Sequence, residues 1–138
     1  MVLLAIVAAV VPGCKRPGDL PEDVVCMFGQ MGLAPGQFSY PRAITVDRSG
    51  RVLVVDKAGR IQRFTADGTY LSEWLMPETA AGKPVGLAVH PDGRIFVADT
   101  HYHRVDIFDD DGHLLTSFGH EGTGDGEFLL PTDVAFDA

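Results

Sequence analysis

Apolar and polar residues alternate in short runs along this chain, and the runs return in the same order. "AITV" at 43–46 leads through a polar step to "RVLVV" at 51–55, then "RIQRFT" at 60–65 and "YLSEWL" at 70–75. The succession recurs at Gly86–Val89, Arg94–Ala98, Arg104–Phe108 and Leu114–Phe118. Short stretches rich in Val, Ile and Phe, bounded by turn residues, predict strands rather than helices. In the third run of each set apolar residues alternate with polar ones: Ile61 precedes Gln62, and Val105 precedes Asp106. The connections "DRSG", "HPDG", "ADG" and "DDDG" predict hairpin turns, because Gly reaches a left-handed backbone and Asp bonds its own main chain. Asp109–Asp111 is thereby read as turn and solvated edge. An EF-hand loop would need acids at alternate positions and a closing Glu.

The chain also repeats itself at longer range. "FGQMGLAPGQFSYPRAITVD" at 28–47 returns as "FGHEGTGDGEFLLPTDVAFD" at 118–137, ninety positions on. Between these copies Pro41 matches Pro84, Gly50 matches Gly93 and Asp56 matches Asp99, each forty-three apart. One residue is then inserted, and Phe64/Phe108, Gly68/Gly112 and Trp74/Phe118 follow at forty-four. A period of about 40–45 residues holding four strands marks a propeller blade. The predicted fold class is all-β: a partial β-propeller with two complete four-stranded antiparallel blades, about 41–75 and 84–118. The first strand of a third is placed at Asp133–Phe136, within 128–138. The duplicated stretches are the linkers that enter the first and third blades.

The stretch "GRIFVADTHYHRVDIFDDDGHLLTSFG" at 93–119 resembles the NHL repeat: an apolar strand ending in Ala-Asp-Thr, a short turn ending in His-Arg-Val, then an aromatic and Asp-Gly. The Trp-Asp pair of WD40 blades is absent. The resemblance extends over residues 28–138. Asp99, Thr100, His103 and Arg104 are its motif residues in the second copy, and Asp56 and Arg60 in the first. There "VDKAGRI" lacks the Thr and His and is one residue shorter in the turn. The resemblance implies a ring of about six blades, of which this chain supplies part. We therefore expect a fragment whose open blade edge favours self-association. It also implies that the linkers and the turns between second and third strands crowd one face, where partners meet. That face would carry residues 30–37, 57–59, 76–83, 100–103 and 120–127. Its contact candidates are Lys57, His101 and Tyr102, with Met31 and Leu33 as apolar residues in a loop. Asp56 and Asp99 are read as framework carboxylates that accept turn N–H groups, with Arg60 and Arg104 within reach.

Chemistry and charge narrow the function. The 138 residues suit one domain. A net charge of −8 with scattered Lys and Arg argues against nucleic acid as a partner. His101 and His103 alternate and would face one way on an extended segment, but they lie in or beside a turn. No metal site, catalytic residue or cofactor is assigned, and Ser-His-Asp, P-loop and Rossmann patterns are absent. The expected role is a scaffold that binds a protein, peptide or glycan. The alternative is a metal-dependent lyase or lactonase-type propeller enzyme whose site is completed by further blades; an RNA-binding propeller ranks behind it.

The start of the chain is a different material. Val2–Val11 is an uncharged apolar run too short to span a bilayer, and it ends at "VPGC", which resembles a lipobox. Residues 1–14 are read as a signal peptide with Cys14 as the lipidation site, and 15–27 as a polar tether. This predicts secretion and a lipid anchor in a bacterial-type cell envelope, the membrane being reached through the lipid alone. A buried N-terminal segment is the alternative. If Cys14 is not lipidated, it is free to pair with Cys26.

Overall fold

The structure is a computed structural model that describes residues 24 and 26–137. The signal segment, the lipidation assigned to Cys14 and most of the tether lie outside the described residues. Among the described residues, no helix is long and apolar enough to cross a membrane.

Eight strands form two separate antiparallel sheets. β1 (Pro41–Val46), β2 (Val52–Asp56), β3 (Arg60–Phe64) and β4 (Tyr70–Leu75) make the first, in the order β1-β2-β3-β4. β5 (Gly86–Val89), β6 (Ile95–Asp99), β7 (Arg104–Phe108) and β8 (Leu114–Phe118) make the second, ordered β5-β6-β7-β8. Each sheet is a meander, so every neighbour in sequence is a neighbour in space, as in a propeller blade. The register irregularity recurs as well, between Arg63 and Phe64 in one sheet and between Ile107 and Phe108 in the other. The turns at Gly50, Gly68, Gly93 and Gly112 have φ between 76° and 95°, which is why glycine stands at each.

The third copy follows the course of a strand without forming a ladder. Residues 131–137 belong to no sheet. A strand is defined by hydrogen bonds to a neighbour, and no second strand of a third blade is present among the described residues to supply them. The segment nevertheless packs where that blade would begin. A Cβ on Gly86 would lie 2.5 Å from Thr132 O, and the Phe136 ring meets His90 at 4.8 Å and Phe96 at 4.9 Å.

The core lies between the blades. Leu53, Val55 and Ile61 of the first sheet bury against Leu87, Ile95, Val97 and Phe108 of the second, with Met76 from the linker. Trp74, at the end of β4, stacks on Phe108 at 6.1 Å, and Gly112 leaves it room, since a Cβ there would sit 2.6 Å from the indole. One step upstream the same joint is built from Phe28, Phe64 and Gly68: the rings are 5.0 Å apart and a Cβ on Gly68 would lie 2.5 Å from Phe28. Phe28 thus takes, against Phe64, the place that Trp74 takes against Phe108. The third aromatic of this series, Phe118, is 46% exposed and lies in a β8 that is exposed along its whole length. Leu114 and Leu115 of the same strand are exposed as well, as are Leu129 and Leu130 of the outgoing loop.

The alternation in the third strands does not separate core from solvent. Gln62 and Asp106 are both fully buried, as are their apolar neighbours. A blade is packed on both sides, so polar residues at those positions are enclosed too.

Candidate functional site

In blade 1 a strand-end carboxylate and an arginine fix the incoming linker. Asp56 is fully buried; its Oδ1 accepts the N–H groups of Ala58 (2.9 Å) and Arg60 (3.3 Å), and its Oδ2 that of Ser39 (3.0 Å). Arg60 Nη2 donates to Asp56 Oδ2 at 2.8 Å and to Gln37 O at 2.9 Å, while Nη1 donates to Leu33 O at 2.6 Å. Gln62 completes the set, accepting from Gly36 N at 2.9 Å and donating to Gln37 O at 2.7 Å. These charge-assisted bonds reach the loop through its main chain. Any residue could supply such groups, provided the loop holds its shape.

That shape is built twice. In the first loop Gly32 N donates to Phe38 O, Gln37 N to Ala34 O and Phe38 N to Gln30 O; in the second Gly122 N donates to Phe128 O, Glu127 N to Gly124 O and Phe128 N to His120 O. Tyr40 and Leu130 share the left-handed region at φ 52° and 51°, and Gly36 and Gly126 do so at 79° and 77°. The ninety-residue repeat is therefore a repeat of backbone conformation.

Blade 2 carries the same motif with a different balance. Asp99 is fully buried and Arg104 approaches it at 3.1 Å, but the second partner of Arg104 is Asp106, also buried, at 3.0 Å. The guanidinium N–H groups are not aligned with these oxygens. Asp99 Oδ1 and Oδ2, Asp106 Oδ2 and Thr100 Oγ1 are buried without a hydrogen-bond partner among the described residues. The framework role expected of Asp99 is thus met only in part, for it accepts no turn N–H as Asp56 does. The physical reason is the turn itself: it is one residue longer than that after Asp56 and opens as a 3-10 turn that Asp99 does not cap, while residues 76–83 replace the loop and bring Glu78 to Arg104 at 3.1 Å. Burial first, and then the Asp106 charge, push the Asp99 carboxyl up to about 6.

The turns after β2 and β6 and the linkers do share one face. Lys57 N donates to Ser39 O and Tyr40 O, and its ammonium lies 5.2 Å from the Tyr40 ring centroid. Met76 N donates to Gly59 O, Ala81 N donates to the Tyr102 hydroxyl at 3.1 Å, and Leu130 N donates to His103 Nδ1 at 3.2 Å. Each turn is flanked by one linker on either side, giving a continuous row. His101 and Lys57 are exposed on it, and Met31 and Leu33 are 87% and 68% exposed. His101 and His103 diverge. Thr100–Tyr102 is a 3-10 turn, so His101 leans over Gly82 while His103 faces the outgoing linker.

His103 and Gly59 occupy the same left-handed corner, at φ 55° and 76°. The motif histidine is therefore a turn-closing residue, and the shorter first turn meets the same requirement with glycine.

Two features were not foreseen. Asp110 brackets the blades, accepting from Arg51 at 2.7 Å and from Arg63 at 3.1 Å. The signal for it was the pair of arginines on blade 1. Asp109, Asp111 and His113 bring ligand atoms within 4.8 Å of one another in the last hairpin turn. Asp109 is there engaged by the N–H groups of Asp111 and His113, and the bond from His113 is what chiefly lowers its pKa.

Comparison with known proteins agrees with this geometry. The NHL repeat family model matches residues 82–108. The chain is 33% identical over 87 residues to human NHL repeat-containing protein 3, covering 61% of this chain and 25% of that protein. It is 43% identical over 53 residues to Protein brain tumor of Drosophila melanogaster, covering 38% of this chain and 5% of that protein. Among solved structures, a streptogramin B lyase superposes with a TM-score of 0.52 at 23% identity, over 59% of this chain and 26% of that one. The chain spans no more than a quarter of the length of either curated relative.

Proposed function

We propose, from the premise that this chain belongs to the NHL-repeat proteins, that its blades are a rigid frame presenting a recognition face to a protein, peptide or glycan. The observation that carries this reading is the continuous row of turns and linkers. It places the exposed side chains of Met31, Leu33, Lys57 and His101 on backbone held by buried ion pairs. Binding residues on loops positioned by a rigid scaffold are the usual arrangement for such domains. We place this scaffold in the cell envelope, with the partner outside the membrane.

The test uses extract from the envelope and three forms of the chain. The unmodified chain and a variant altered on the opposite face, Arg48→Ala, should retain the same bound component. The double variant Lys57→Ala/His101→Ala should lose it. Equal capture by all three would reject the recognition face. The second reading, a metal-dependent lyase or lactonase-type enzyme, draws on the fold shared with the streptogramin B lyase. It predicts stoichiometric metal in purified protein extended by further blades, whereas a scaffold should purify without it.

A further inference from the structure

Blade 2 encloses more acid than base. Asp99 and Asp106 are fully buried and share one arginine, Arg104, whose third contact is another acid, Glu78. At the same three positions blade 1 holds Asp56, Gln62 and Arg60, with a neutral amide where the second carboxylate stands. The groups facing Asp99 are Arg104 and Asp106 from β7 and the Thr100 hydroxyl from the turn. The incoming linker adds Glu78 through Arg104. β8 contributes the Ser117 hydroxyl, which donates to Asp106 Oδ1 at 2.5 Å. His103 is engaged with Leu130 and His101 is exposed. Two like charges in a dry interior are costly, and the four unpartnered oxygens show that hydrogen bonds do not offset this cost. A proton is the cation that removes the surplus without needing space.

We infer that Asp99 and Asp106 form a carboxyl–carboxylate pair that holds one proton and so latches the Thr100–His103 turn onto β7. With the proton, the hydroxyl of one acid donates to the oxygen of the other. Without it, two carboxylates repel across the base of the turn and loosen it.

The raised pKa of Asp99, about 6 against an ordinary 3.8, agrees in direction with this reading. The sign follows. The folded state binds the proton more tightly than the unfolded chain, so the stabilisation is complete below about 4 and is lost as pH rises through about 6. The turn that carries His101 and Tyr102 is therefore firmer in acid.

Carbon-13 NMR of the aspartate carboxyls in the 138-residue chain tests this. The Asp99 signal should titrate with a midpoint near 6, and Asp106→Asn should lower it, though burial holds it above the ordinary value. Exchange of the His103 amide, which donates to Thr100 O, should quicken about tenfold beyond its intrinsic pH dependence between pH 5 and 7.5. In Asp99→Asn, whose amide imitates the protonated acid, that quickening and the accompanying fall in melting temperature should both vanish. Should Asp106→Asn not fold, the Asp99→Asn comparison decides alone. An Asp99 midpoint near 4 in the unmodified chain, or a pH slope that survives Asp99→Asn, would overturn the proposal. Millimolar calcium should leave the midpoint in place; a midpoint driven down by calcium would assign the site to a metal ion instead.

Discussion

Blade 1 and blade 2 carry the same strands, the same turns and the same Asp–Arg pair, yet their interiors are finished differently. In blade 1 the incoming loop docks on Asp56, Arg60 and Gln62 and meets nearly every polar atom with main-chain groups. In blade 2 a shorter linker takes the place of that loop, and the set is left with a surplus acid and bare oxygens. The loop leaving blade 2 shows the converse: it has the shape of the first one, but nothing among the described residues docks against its inner carbonyls. The lesson is that the strand motif and the linker are separable parts. The fold needs only the strands; the quality of each joint depends on which linker enters.

That contrast can be broken at several points. The largest effect should come from Arg60→Ala, which strands the fully buried Asp56 and frees the loop. We expect a loss of about 3–5 kcal/mol in urea unfolding. Arg104→Ala should cost visibly less at pH 5 than at pH 7.5, because the Asp99–Asp106 pair takes up protons when its cation is gone. Next comes the wedge between blades. Trp74→Ala should cost about 2–4 kcal/mol, whereas its repeat partner Phe118, on the open edge, should cost under about 1 kcal/mol when changed to Ala. Thermal melts of the two variants would separate a packed joint from an empty one.

Smaller effects test the turn corners. Gly59→Ala puts a Cβ at a φ of 76° and 2.5 Å from the Thr79 methyl, so it should cost about 1–2 kcal/mol. His103→Gly should fall within about 1 kcal/mol of the parent, relief of the left-handed strain offsetting the lost bond to Leu130. Smallest of all, Lys57→Ala and His101→Ala should each move stability by no more than about 0.5 kcal/mol while altering binding.

Much of this architecture is written openly in the chain. Period-two runs and Asp-Gly turns located all eight strands to within two residues, because strand and hairpin signals are local. The matched loops were visible as a ninety-residue duplication, and Asp56 with Arg60 as a spaced pair. What was hidden is what depends on enclosure. Gln62 and Asp106 read as the polar half of an alternation, and only the packing of a blade on both faces buries them. The imbalance at Asp99 was half legible: Asp106 stands where blade 1 has Gln62, but the burial that makes the second acid costly is a product of the packing. Likewise, Asp110 looked like one of three turn acids until Arg51 and Arg63 met it across the blade boundary.

The central claim is that a loop that holds its own shape is anchored to the blade by docking its main chain on a buried Asp–Arg–Gln set. Amide hydrogen exchange tests it within a single sample. The Phe38 and Phe128 amides, bonded inside their own loops, should both be protected. The Gly36 and Ser39 amides, which donate to Gln62 and Asp56, should be protected as well, while their repeat partners Gly126 and Leu129 should exchange near the rate of open chain. Equal protection at the two loops would contradict the claim.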